Sequence, residues 1–223
     1  MGDSLKLKSV SAAFAATLLL AQASPAFETP LSDKTVREAY FLGQRHDAST
    51  ESALKPYLHS LPPPQRGAYI SDIRLLTPFA QVLDISNSRP GGYSAQQAAA
   101  DYQARGEIIV VRFEIRFTPT YGYIKSSQDR SDPSGKPGIS VRSEDFWRDF
   151  KAGLSQHDDW IEPISVEGEP IYVENLEGGR VMDGAYIWVT YDAQSVISDP
   201  ATAEIFTPDG QHVTSDFDLA TLR

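Results

Sequence analysis

The stretch SQHDDW, residues 155–160, places one histidine, two adjacent carboxylates and a tryptophan within six positions. Imidazole and carboxylate together could ligate a metal or move a proton. A metal site, however, needs three or four ligands in fixed geometry, and one histidine beside two aspartates has no spaced partner elsewhere in the chain. The competing reading is conformational, since an aspartate side chain bonds nearby backbone amides and suits a turn. With residues 150–156 and 160–165 as successive strands, HDD becomes a hairpin tip and Trp160 a strand residue facing the core. The turn is the reading adopted.

Other chemistries fare no better. GYSAQ, residues 92–96, approaches the G-x-S-x-G nucleophile elbow, but Gln96 replaces the final glycine and NSRPG before it is a loop where the elbow needs a strand. Ser94 is read as a helix cap. No H-E-x-x-H, Walker A or G-x-G-x-x-G pattern occurs. The segment DRSDPSGKPG has a calcium-like look around Asp129 and Asp132, yet Pro133 stands where an EF-hand wants a ligand and no acid closes the loop. His46, His59, His157 and His212 form no spaced pair and are read as surface or helix-end residues. The 30 Asp and Glu residues could supply a glycosidase-type carboxylate pair, but separation in space decides that, and spacing in sequence does not give it. Trp147, Trp160 and Trp188 could stack on sugars, although Trp188 within YIWVTY fits a core position. These readings assign no catalytic, cofactor-binding or metal residue.

The compartment is written at the start of the chain. MGDSLKLK carries Lys6 and Lys8 against Asp3, an apolar run follows, and QASPAFETP supplies small residues at alternate positions. This is the pattern of a secretory signal peptide. The run of about 13 residues is too short to span a bilayer, which takes ~20. Cleavage is expected after Ala26, which leaves the longer polar spacer beyond Leu20, with Ala23 as the alternative. The expected destination is the periplasm, the cell surface or the medium, with no membrane span after cleavage.

The 223 residues are 41% hydrophobic and 22% charged, ordinary globular proportions, and contain no cysteine. Folding must therefore rest on burial, with no disulfide or thiolate metal site. The formal charge is −10; losing two lysines and one aspartate with residues 1–26 makes it −11. Such a surface repels phosphate backbones, which argues against a nucleic-acid partner.

The elements that would position any site divide into two kinds. Residues 27–105 read as helix-rich with one strand. A helix over SDKTVREAYFLGQRHD has Val36, Ala39, Tyr40 and Gly43 on its stripe and Arg37 off it, with Ser32, Asp33 or a Thr35–Glu38 box to cap it. A short helical piece STESALKPYLHS, weakened by Pro56, ends at LPPP. GAYISDIRLLTP alternates as a strand, Pro78 opens a short helix, and SAQQAAADYQAR is a helix with Ser94 and Gln97 as capping box and Gly106 as stop. From residue 106 the period falls to two. EIIVVRFEIRF sets Ile109, Val111, Phe113, Ile115 and Phe117 against a wet side of Arg112, Glu114 and Arg116. Further strands are expected in PIYVEN, GAYIWVTYDA, TAEIFT and HVTSDFDL, with a turn at TPDGQ. SEDFWRDFKAGLSQ reads as a brief helical turn followed by a strand, and residues 126–138 as a mobile loop.

The expected fold is α+β: N-terminal helices, then a mainly antiparallel β-sandwich-like domain over 106–223. Its strand spacing is similar to immunoglobulin-like or fibronectin-like sandwiches, without the Cys…Trp…Cys marks of true immunoglobulin domains. The functional expectation is an exported, non-catalytic interaction or accessory protein with a protein or glycan partner of the cell envelope and no cofactor. The alternatives are a secreted hydrolase whose carboxylates meet only in the fold, and a carbohydrate-binding module with exposed aromatics.

Overall fold

Helix α1 (Asp33–Gly43) begins where Ser32 accepts a hydrogen bond from the Thr35 amide, so Ser32 is the cap and not the Thr35–Glu38 box. The computed structural model describes residues 27–89, 91–119, 121, 124–127, 138–174 and 178–223; the expected signal peptide and both cleavage positions, Ala23 and Ala26, lie outside them. Helix α2 (Ala48–Leu54) is capped by Asp47, and Pro56 then tightens the chain into a 3-10 turn, Lys55–Tyr57. The helical reading of LHS fails here. Those residues form strand β1 (Leu58–Ser60), because a chain leaving a proline turn in extended form finds a partner in β2 (Ala68–Leu76). Strand β2 carries a bulge between Ile70 and Asp72, which places Ile70, Ile73 and Leu75 together in the core where strict alternation would separate them.

Helix α3 (Pro78–Ser88) takes its cap from Thr77 and its preset first turn from Pro78. Helix α4 (Ala95–Arg105) shows both bonds of the Ser94–Gln97 capping box and stops at Gly106, φ 79°. The helices bury a core of their own from Val36, Ala39, Phe79, Leu83, Ala98 and Tyr102. Gly43 allows α1 and α3 to touch along their backbones: a Cβ there would lie 2.5 Å from the Leu83 carbonyl oxygen.

The remaining elements are antiparallel strands. They are β3 (Ile108–Phe117), β4 (Ile124–Ser127), β5 (Gly138–Val141), β6 (Lys151–Gln156), β7 (Asp159–Trp160), β8 (Ser165–Glu174), β9 (Arg180–Asp192), β10 (Pro200–Phe206) and β11 (His212–Asp218). One sheet runs β1-β2-β3-β9-β8, a second β11-β10-β6-β7, and β4 pairs with β5. The chain is thus α+β with antiparallel sheets. Strands β1 and β2, which precede residue 106, belong to the same sheet as β3, which follows it. Ser126, Ser127 and Gly138, expected in a mobile loop, are strand residues of the β4–β5 pair, and 128–137 lie outside the described residues. The segment before β6 is the 3-10 turn Glu144–Asp149, capped by Ser143. In TPDGQ, Gly210 takes φ 88° and donates to Thr207, while the Thr207 amide donates to Gln211.

One core cluster draws on one side of each large sheet: Ile109, Val111, Phe113 and Ile115 from β3, Leu154 from β6, Ile205 from β10 and Phe217 from β11. Residues on the other sides of the sheets are left outside this core, and candidate sites arise there.

Candidate functional site

SQHDDW is a hairpin. Ser155 pairs with Trp160 and Gln156 with Asp159, leaving His157 (φ 53°) and Asp158 (φ 68°) as a two-residue turn. Positive φ at both central positions matches the twist of the flanking strands, and Asp tolerates it well. His157 is exposed, with Nε2 3.4 Å from an Asp199 carboxylate oxygen. Ser155 is buried, and so is Gln156. The Gln156 side-chain amide donates to the carbonyls of Ile197 and Asp199 and accepts from the Ile197 amide, pinning that loop. Trp160 does not face the core. It is 43% exposed on the outer side of the four-stranded sheet, over Gly153, because glycine leaves room for its ring there.

Two carboxylates do converge in space. The register of β2 and β3 sets Asp72 opposite Glu114 on the outer side of the five-stranded sheet. Arg112 reaches Asp72 at 3.3 Å, and Arg116 binds Glu114 through Nε and Asp183 through Nη1 at 2.8 Å. Arg112 also lies over the Tyr186 ring, 4.9 Å from its centroid, and Tyr186 packs 5.4 Å from Trp188. Burial and the hydrogen bond to Glu114 push the Asp72 carboxyl above its ordinary pKa, against the pull of Arg112. Burial also works to raise Glu114, but the hydrogen bonds from Asp72 and Arg116 outweigh it and hold Glu114 below its usual value. The environment drives the two carboxyls apart, Asp72 upward and Glu114 downward. Each carboxyl is already bonded to an arginine on an outer sheet face. Glu114, expected on a wet side, is only 8% exposed, because its neighbours in the ladder close over it. Trp188 is likewise half-buried on this outer face and not in the core.

Concave surface lies along α1. Phe41, 60% exposed, stands between two clefts that share Asp33, Arg37 and Phe41 itself. The first, about 690 Å³, adds Lys34, Arg45 and Arg223. The second, about 660 Å³, runs to α4, where Ala99 and Ala100 line it. Glu38 ion-pairs with Arg223 at 2.9 Å, and Arg223 spreads over the Phe79 ring at 4.4 Å. The hydrogen bond from Arg223, opposed by some desolvation, lowers the Glu38 pKa. The first cleft carries four cations, Lys34, Arg37, Arg45 and Arg223, against two carboxylates, Asp33 and Glu38. Sequence reasoning missed Phe41. Its signal was an aromatic residue next to Tyr40 but off the apolar stripe of α1.

The remaining candidates scatter. Ser94 caps α4. His46 meets Asn87 at 3.1 Å. His59, expected at the surface or a helix end, is half-buried instead: its register opposite Ile73 turns it inward to stack on Phe217 at 4.4 Å and to bond Ser215. His212 bonds Glu204 at 2.8 Å. The tryptophans lie apart: Trp147 is buried against Gly168, while Trp160 and Trp188 occupy outer faces of different sheets. Among the described residues no three His, Asp or Glu side chains gather as a metal-holding group, and no helix is long and apolar enough to cross a membrane. No family model, curated protein or solved structure matches the chain.

Proposed function

We propose that the chain is an exported, non-catalytic interaction protein that receives an acidic segment of a partner protein, anchored by one apolar side chain, on the α1 ridge. The observation that carries this reading is Phe41, 60% exposed between two clefts whose shared wall includes Arg37. A solvent-exposed phenylalanine among cations is a poor choice for solubility and a good anchor for binding. On a chain of net charge −10, the first cleft's surplus of cations gives an acidic segment an attractive landing place on a surface that otherwise repels it. Both cleft volumes suit side-chain insertion. The hydrolase reading is weaker, because Asp72 and Glu114 spend their charge on Arg112 and Arg116 and line neither cleft.

Export rests on the N-terminal pattern, with cleavage after Ala26 or Ala23, and intact-mass measurement of the secreted form tests it. The sandwich-like, immunoglobulin-style architecture rests on the core shared by the two large sheets. A random peptide library selected on residues 27–223 tests the docking surface. Enriched peptides should be acidic with one aromatic or aliphatic residue, and Phe41→Ala or Arg37→Glu should abolish their binding. Enrichment of basic peptides, or binding that survives both substitutions, would overturn the proposal.

A further inference from the structure

We propose a second, separate binding site: the outer face of the four-stranded sheet is a contact surface for a neutral polysaccharide, centred on Trp160. The local sequence is arranged around this ring. Gly153 sits inside β6, where glycine weakens a strand and contributes no packing. A Cβ at that position would lie 1.7 Å from Cζ3 of Trp160, so the glycine is required by the place the indole occupies. Trp160 pairs in register with Ser155, yet its ring reaches diagonally across Gly153 toward Lys151 and Phe206. A tryptophan recruited for stability would gain more on the inner side, where Leu154 is fully buried; this one keeps 43% of its surface in solvent.

The ring does not stand alone. Phe206 stacks 6.4 Å from Trp160, and His212 stacks 4.1 Å from Phe206, giving an aromatic row that crosses β7, β6, β10 and β11. Hydrogen-bonding groups border it. Lys151 Nζ is 5.3 Å from the Trp160 centroid, His212 bonds Glu204 at 2.8 Å, and Thr202 donates to Asp216 at 2.8 Å. Phe206 and His212 turn their faces to each other, so the ring open to a ligand is Trp160; a pyranose lays a C–H face on it while its hydroxyls, which both donate and accept, meet the polar side chains beside it. A hydroxyl-rich ligand satisfies these side chains without bringing charge to them. The net charge of −10 disfavours phosphate-bearing polymers.

Native affinity electrophoresis through gels containing laminarin, xyloglucan or pullulan tests the proposal, with residues 27–223 as the sample. The wild-type chain should be retarded by at least one of them, and Trp160→Ala should raise the apparent Kd about tenfold or more. Gly153→Val, which displaces the ring without removing it, should weaken retention as well. Circular dichroism and a thermal melt establish that both variants are folded; Trp160→Phe, which restores a ring, should recover part of the retention and serves if Gly153→Val does not fold. Phe41→Ala should migrate like wild type, which separates this site from the α1 ridge. No retardation of the wild type in any of the three gels, or equal retardation of Trp160→Ala, overturns the inference.

Discussion

Glu114→Ala separates what alternation implies from what the fold does. Alternation puts Glu114 on a wet side, where its loss should cost well under ~1 kcal/mol. In the structure its side chain is 11% exposed and bound by Arg116. Removing a charge-assisted bond of this kind costs about 1.5–3 kcal/mol. Two circumstances reduce that figure. Arg116 keeps Asp183 at 2.8 Å, so no buried cation is left unpaired. The like charge of Asp72, directly opposite in register, loses its repulsive partner. The expected net cost is therefore about 1–2 kcal/mol, above the range of an ordinary surface change. Urea titrations at neutral pH of wild type, Glu114→Ala, Arg116→Ala and the double variant give both the cost and the coupling, expected near ~1 kcal/mol. A loss under ~0.5 kcal/mol for Glu114→Ala at unchanged m-value would refute the argument and return this side of β3 to solvent.

Phe113, fully buried at the middle of β3, should cost about 3–5 kcal/mol as Phe113→Ala in the same titration, and a loss no larger than that of Glu114→Ala would remove β3 from the core. Gly184→Ala puts a Cβ 1.9 Å from the Ile115 carbonyl oxygen, backbone that cannot swing aside, so it should cost about 1–3 kcal/mol or more; an unchanged melting temperature would mean that β3 and β9 lie further apart. Asp72 holds its proton more tightly folded than unfolded, so its stabilising share is complete below the ordinary carboxylate range and is lost as pH rises through the raised value; Glu114 works in the opposite sense. The stability of Asp72→Asn relative to wild type should therefore improve as pH climbs through that window, and a difference that stays flat with pH would show that folding does not raise the Asp72 pKa.

Legibility in the sequence followed the range of the interactions. The cap at Ser94, the stop at Gly106, the turn at Gly210 and a hairpin tip within HDD depend on a few neighbouring residues, and the sequence carries each of them openly, although Asp159 proves to be paired in the strand. The period-two run of β3 was equally plain. What one strand's pattern could not show was its neighbour. The bulge in β2 that turns Ile70 and Ile73 to one face, the carboxylate opposite Glu114, and the inward stacking of His59 on Phe217 all depend on register with another strand. LHS was misread because helix propensity in the residues before it outweighed three residues whose only reason to extend is pairing with Arg74, Ile73 and Asp72. Trp160 was placed inward on the rule that tryptophans are buried, while the clue to its outward seat was Gly153, seven residues earlier. Phe41 was visible only as a departure from the stripe of α1.

The Tyr57 hydroxyl donates to the Arg223 carbonyl at 3.1 Å and accepts from the Arg223 amide at 3.0 Å, joining residues 166 apart, and Thr77 bonds the same carbonyl. Strand β3 likewise has one partner close by in sequence, β2, and the other, β9, far downstream. Distant pairings of this sort slow folding, since the intervening loop must close before the contact gives anything back. During synthesis at about 5–20 residues per second, β3 would emerge several seconds ahead of β9 with half of its ladder vacant. The N-terminal helices would wait longer still for the residue that ties them to Tyr57 and Thr77. A polypeptide whose distant strands must meet before it locks stays pliable while it is being made.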